Sequence, residues 1–253
     1  MTRRAPRFAP GLLQLLTAAV FLATLAVPAG AQDISINFGQ GAGLTERVIQ
    51  LVALLTILSL APSILVMVTS FTRIVVVLSL LRTAIGTATA PPNTVIVSLA
   101  LFLTAFVMAP AFQRAYEQGV RPLVNNEVTA EQAFERSSEP FRGFMLNNVR
   151  EKDLKLFQDL SRQPVPEKAE DMSLRILVPA FMISELKRAF EIGFLLFLPF
   201  LIIDLVVASV LMSMGMMMLP PVVVSLPFKL IFFVLVDGWS LVAGSLVQSY
   251  GSG

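Results

Sequence analysis

Two long apolar runs near the C-terminus face each other across a turn. They cover Ile192–Met218 and Val222–Val247, and Pro220-Pro221 lies between them. Because a Pro-Pro pair cannot continue a helix, the chain turns here and the two runs form a helical hairpin. The turn, Leu211–Pro221, reads LMSMGMMMLPP and is rich in methionine, a flexible side chain that repacks around different shapes. The same methionines could also be apolar filler at a helix end.

The composition places the chain among membrane proteins. Hydrophobic residues make up 55% and charged residues 14% of its 253 residues, whereas soluble domains are about a quarter charged. The sequence has no cysteine and no histidine, which excludes disulfides, Cys/His metal sites and histidine-based catalysis. Without three arginines of the N-terminal leader, 16 basic residues face 17 acidic ones, so nothing favours nucleic-acid binding. We expect one integrated all-α unit without a cofactor.

The order of segments predicts a topology. Residues 1–31 resemble a secretory signal with cleavage before Gln32, although a retained transmembrane helix is the alternative. We expect hydrophobic helices in residues 32–112, including a long apolar stretch, Val48–Leu81, that Pro62 could kink. Residues 113–173 are polar and predict a small helical insert on the periplasmic side, and residues 174–253 form the hairpin. A capping-box pattern at Thr129 predicts a helix start within the insert.

Charged residues interrupt the apolar helices. Arg73 either snorkels to the membrane boundary or is buried against protein. Counted from a turn near residue 220, Asp204 is level with Asp237, and Lys229 lies about 10 Å away along the axis. We therefore expect Asp204 to pair with Lys229 of a neighbouring copy, with a snorkelling lysine as the alternative. Glu185, in the polar half of its helix, should lie on a solvated face.

Four stretches of the sequence resemble the FliP family of the type III secretion export gate. They are Ile64–Val77 (ILVMVTSFTRIVVV), PPN at 91–93 with Ala100–Phe106 (ALFLTAF), Pro179–Phe194 (PAFMISELKRAFEIGF), and the segment from Asp204 through the methionine turn. The resemblance runs from about Val48 to the C-terminus.

The resemblance implies the architecture and partners of an export gate. A homo-oligomer, typically a pentamer, would assemble with FliQ, FliR and other export-gate membrane proteins into a helical pore for unfolded flagellar proteins. That pore would belong to the flagellar basal body, at the bacterial inner membrane and largely on its periplasmic side. The resemblance implies that Met216, Met217 and Met218 form a methionine gasket and that Gly215, Pro220 and Pro221 shape the turn that presents it. It also implies that Asp204 and Lys229 are charges that meet between subunits. Glu185, Phe144 and Phe157 would be residues of the pore region.

Two functions from different classes fit these features. The first is a structural subunit of a protein export channel without catalysis of its own. The second is a small secondary transporter that uses the intramembrane carboxylates Asp204 and Asp237. The sequence offers no nucleophile–base set that would support an enzyme.

Overall fold

The computed structural model describes residues 44–251 apart from positions 88, 165, 167, 169, 170 and 217. The predicted signal segment 1–31, the cleavage site before Gln32 and the gasket residue Met217 lie outside the described residues. Within the described part the fold is all-α, as predicted, and no strand occurs. Its helices are α1 (Leu44–Met67), α2 (Phe71–Ile85), α3 (Asn93–Ala115), α4 (Arg121–Val124), α5 (Ala130–Asn148), α6 (Glu151–Ser161), α7 (Leu174–Ser213), α8 (Pro221–Leu235) and α9 (Gly238–Gly251), with a π-helical segment, Tyr116–Val120, between α3 and α4.

The long apolar stretch near the N-terminus is two helices, not one kinked helix. Pro62 lies inside α1, and the break falls after Met67. At the break the hydroxyl of Thr69 accepts a hydrogen bond from the Phe71 amide, and the hydroxyl of Thr72 donates to the Val66 carbonyl. Such side-chain bonds compete with the helical ladder, so a pair of threonines can end a helix. A boundary between Leu54 and Leu55 divides the chain into two units, and all the helices that follow α1 belong to the second.

Helix α2 is the centre of the second unit. Its side chains Ile74, Val77, Leu78 and Leu81 are buried in a core that α3, α7, α8 and α9 complete. A second core joins the insert to the first half of α7 and contains Met145, Leu177 and Phe181. Helix α7 contributes side chains to both cores and so joins them, whereas α2 belongs to the first core.

Helix α5 of the insert begins where the sequence predicts a helix start. The hydroxyl of Thr129 accepts from the Gln132 amide, and the Gln132 side chain accepts from the Thr129 amide, which is a complete capping box. Before it, Gly119 of the π-helical segment packs against α5 so closely that a Cβ there would lie 2.6 Å from the Ala133 carbonyl oxygen. Glycine is needed at this position because the two backbones approach each other directly.

Helix α7 is continuous for 40 residues and leads directly to the methionine turn. Among the described residues, Asn93–Val124 and Leu174–Ser213 are long and apolar enough to cross a membrane, and up to four spans result if two bent helix pairs each count as one. Only 6% of the apolar window of α7 is buried within the chain. This helix therefore exposes a large apolar surface to lipid or to other protein.

Candidate functional site

The methionine turn begins with a defined helix cap. The Gly215 amide donates to the Met212 carbonyl over 3.1 Å, and the Met216 amide donates to the Leu211 carbonyl over 3.0 Å. Gly215 has φ +75°, in the left-handed region that glycine adopts without strain. This pair of bonds is a Schellman motif, which ends α7 and turns the chain.

The turn presents methionines outward. Met216 is 42% exposed and Met218 is 98% exposed, so no part of the chain that the structure describes covers Met218. Pro220 precedes α8 and Pro221 is its first residue, a position that needs no backbone N–H. Gly215 and Pro220 therefore lie between the two helices of the hairpin and Pro221 begins the second, while the role of this turn in presenting a gasket stays a prediction.

The depth mismatch from which we expected Asp204 to pair between copies is absent from this fold, and pairing between copies stays a prediction. Within one chain the Lys229 Nζ lies 2.7 Å from the Asp204 Oδ2, and the lysine side chain is 5% exposed. The Ser225 hydroxyl donates to the other carboxylate oxygen over 2.5 Å. The Lys229 ammonium also donates over 3.3 Å to the carbonyl of Ala84, at the C-terminal end of α2, where a cation is favourable.

The predicted difference in depth between Asp204 and Lys229 along the hairpin was wrong because the turn is longer than the Pro-Pro pair indicates. Helix α7 ends at Ser213 and α8 begins at Pro221, so the hairpin turns about a point near residue 217, not 220. Asp204 lies nine residues before the end of α7, and Lys229 lies eight residues after the start of α8. At 1.5 Å per residue the two distances differ by about 1.5 Å, so the side chains meet.

Glu185 belongs to a second buried polar cluster and is not on a solvated face. Its carboxylate accepts from the Arg73 Nε over 2.9 Å, from a second nitrogen of the same guanidinium, and from the Tyr250 hydroxyl. The side chains of Arg73 and Glu185 are 1% and 0% exposed. A residue that lines a pore must reach solvent, and the Glu185 side chain does not. The prediction that Glu185 lines a pore is therefore wrong for this fold. The exposed helix face is provided instead by Lys187 and Glu191, which pair over 3.6 Å.

Tyr250 and Ser249 complete this cluster. Of the two alternatives for Arg73, snorkelling to the membrane boundary or burial against protein, the structure shows burial. The guanidinium carbon of Arg73 lies 3.9 Å from the centroid of the Tyr250 ring, a cation–π contact. Another Arg73 nitrogen donates to the Ser249 hydroxyl over 3.0 Å. The Phe144 ring stacks on Tyr250 with centroids 5.6 Å apart.

The two aromatic pore candidates pack into the chain's own core. Phe144 also contacts Phe181 edge-on at 5.9 Å, and Phe157 packs against the second core. Both are half-buried. Their contribution to a pore stays a prediction.

The insert is fixed to α7 by a third polar junction. The Asp153 carboxylate accepts two hydrogen bonds from the Arg150 guanidinium, at 2.8 and 2.9 Å, and one from the Ser184 hydroxyl at 2.7 Å. Burial raises the pKa of the Asp153 carboxyl, but the bonds from Ser184 and Arg150 and the charges of Arg150 and Lys187 outweigh it. The pKa of Asp153 consequently lies below its ordinary value of 3.8.

The two carboxylates of the transporter hypothesis lie in different settings. Asp204 is paired with Lys229, whereas Asp237 is exposed in the break between α8 and α9, with φ +49°. The part of the chain that the structure describes contains no group of three or more acidic side chains that could hold a metal ion.

Sequence reasoning missed four partners of the charged residues. They are Ser184, Ser225, Ser249 and Tyr250. One signal was present for Ser225, which precedes Lys229 by four residues and so shares its helix face. Tyr250 is 177 residues from Arg73 in the sequence, and no local pattern links them.

Comparison with known proteins places these features in one family. A family model described as the FliP family matches residues 54–246. The chain is 65% identical to the flagellar biosynthetic protein FliP of Caulobacter vibrioides over 93% of this chain and 89% of that protein. It is 50% identical to the protein of that name from Rhizobium meliloti over 94% of this chain and all of that protein. The Bacillus subtilis protein of that name is 54% identical over 80% of this chain and 91% of its own length.

Proposed function

The chain belongs to the FliP family, and we propose that it is a subunit of the flagellar type III protein export gate. Its relatives are named flagellar biosynthetic proteins, which supports a role in building the flagellum. The proposed location is the bacterial inner membrane at the flagellar basal body, with a large part of the protein on the periplasmic side. The apolar helices α3 and α7 support a membrane location.

The observation that carries the proposal is the outward methionine turn. Met218 is almost fully exposed and Met216 nearly half-exposed, at the tip of a hairpin whose cap fixes the backbone. An apolar side chain of this size costs free energy when water surrounds it, so a function that needs the exposed tip explains why it is there. We propose that Met216, Met217 and Met218 of several copies form a gasket that narrows the entrance for unfolded flagellar proteins.

Methionine suits such a gasket for two physical reasons. Its unbranched thioether side chain can deform around extended chains of varied sequence and then close again. A narrow ring of apolar side chains also blocks ions, because water leaves such a constriction. Several copies are needed to make a ring, and we propose a homo-oligomer, a pentamer in this family, with FliQ, FliR and other export-gate membrane proteins as partners.

The exposed surface of the hairpin supports assembly through apolar contacts. Large apolar side chains on α7 and α8 are half-exposed or more, among them Ile202, Leu205, Val223 and Ile231. A soluble monomer rarely exposes this much contiguous apolar surface. In the proposed gate, other subunits and lipid would share it.

The test replaces Met216, Met217 and Met218 with alanine in the assembled complex and measures ion conductance across a bilayer together with flagellar protein export. We expect the complex to assemble and to leak small ions, with export retained or reduced. Replacement by leucine should leak less but pass bulky segments poorly. Met212→Ala is the matched control, because Met212 is 62% exposed but lies in the last turn of α7 and not at the tip. A triple alanine complex that assembles without added conductance would contradict the gasket.

A further inference from the structure

A cleft of about 1050 Å³ opens between α3, α5 and the end of α9. The first wall extends from Phe106 to Gln118 and the second belongs to α5. The last turn of α9 provides the third wall through Val247, Tyr250 and Gly251. The width of the cleft therefore depends on where the C-terminal end of α9 lies.

Helix α9 is anchored at its N-terminal end by apolar packing. The Phe233 ring meets the Trp239 ring edge-on with centroids 5.3 Å apart. It also packs so closely on Gly238 that a Cβ there would lie 2.1 Å from a ring carbon. Further along, Val242 and Leu246 are buried in the first core, while most of the remaining α9 residues are at least partly exposed.

The C-terminal end of α9 is held mainly by polar groups, and the Phe144 ring also stacks on Tyr250. The Tyr250 hydroxyl donates to the Glu185 carboxylate, the Tyr250 ring covers the Arg73 guanidinium, and the Ser249 hydroxyl accepts from it. The bidentate bonding between Arg73 on α2 and Glu185 on α7 does not involve α9. If the end of α9 moves away, that ion pair remains intact, and the losses are the contacts of Ser249 and Tyr250 and the burial of Leu246, one turn before Tyr250.

We propose that α9 is a strap whose C-terminal end moves away from the cleft and back over it. The contacts of Tyr250 hold this end in the closed position. The anchored end and the corner at Gly238 stay in place during this movement, because apolar packing holds them. Opening admits water to the Arg73–Glu185 pair and removes the α9 wall of the cleft. Local opening of this kind requires less free energy than global unfolding when few contacts break. This proposal does not depend on the export function.

The test measures the accessibility of a reporter thiol on α9. The native chain has no cysteine, so Leu246→Cys, at a position that is 1% exposed, gives a single thiol that reacts with a maleimide only when the strap opens. Ala100→Cys, at a fully buried position of α3 in the same core, reports general loosening. Each reporter is measured in the detergent-solubilised full chain with and without Tyr250→Phe.

We expect Tyr250→Phe to raise the labelling rate at position 246 about ten-fold, which corresponds to the loss of one hydrogen bond to a charged group. The rate at position 100 should not change. Tyr116→Phe is the matched control, because Tyr116 is the other tyrosine of the chain and is 57% exposed. Ser249→Ala, a milder change, should raise the rate at position 246 by a smaller factor. Equal acceleration at both reporters, or no acceleration at 246 in either variant, would overturn the strap.

Discussion

The buried Arg73–Glu185 pair should be a main determinant of stability, and Glu185→Gln tests this. The substitution keeps the shape of the side chain but removes the charge that faces a guanidinium of 1% exposure. The carboxylate accepts two bonds from Arg73 and one from Tyr250, so the change leaves a buried cation without its counter-charge. Breaking a buried pair in this way costs about 3–5 kcal/mol, a large part of a typical stability of about 5–15 kcal/mol.

The expected readout is thermal unfolding in detergent, followed by circular dichroism at a helical wavelength. For a chain of this size 1 kcal/mol corresponds to about 2–4 °C, so Glu185→Gln should lower the Tm by about 6–20 °C. Glu191→Gln is the matched control, because its exposed pair with Lys187 contributes little. A Glu185→Gln protein that melts together with the control would refute the reasoning.

A double variant separates the pair's attraction from the cost of an unpaired charge. Replacing Arg73 and Glu185 together by methionine removes both charges and keeps much of the volume. Such replacements are often neutral or stabilising, so the double variant should regain most of the Tm that the single variant loses. The Tyr250 hydroxyl keeps one partner, since it lies 3.4 Å from the Ser70 carbonyl oxygen. A double variant as unstable as the single one would show that packing, not charge, determines the loss.

Three further outcomes follow from the other contacts. Charge reversal at both Asp204 and Lys229 should restore part of the stability that either reversal alone removes, measured on the separated monomer, because the pair lies within one chain; restoration only on mixing two singly reversed chains would contradict this. Gly215→Ala should cost about 1–2 kcal/mol of unfolding free energy because of its left-handed backbone, while Gly244→Ala on the exposed side of α9 should be neutral or stabilising, and equal effects would argue against the cap. Asp153→Asn should lower the Tm at neutral pH. The difference in Tm from wild type should shrink as the pH falls below 3.8, because a carboxyl whose pKa is lowered in the folded state stabilises the fold only while it is ionised. A difference in Tm that does not depend on pH would contradict this.

The sequence was sufficient for features that depend on local patterns. The Pro-Pro pair marked the hairpin turn, the unbroken apolar run predicted the long helix α7, and the spacing of Thr129 and Gln132 predicted the start of α5. Each of these depends on residues within one or two turns of each other. Their physical causes, the missing amide of proline and the reciprocal cap, act at short range.

The positions of the charges could not be derived in this way. The depth of Lys229 relative to Asp204 depends on where α7 ends, and the cap at Gly215 ended it earlier than the Pro-Pro pair suggests. Glu185 follows a helical pattern that is compatible with solvent, and only the packing of α2 and α9 around it shows that it is buried. Contacts between residues distant in sequence decide both outcomes.

The internal pairing of the charges changes what assembly can use. Arg73, Glu185 and Lys229 have their partners inside one chain, so they are not free to attract a neighbouring copy. The helices α7 and α8 present mainly apolar side chains outward, and association through such surfaces is driven by packing and by the removal of water or lipid. Substitutions at the paired charges should therefore first impair the folding of each subunit, and assembly only as a consequence. Substitutions on the outer face, such as Ile202→Ser, should leave each subunit folded and weaken its association directly.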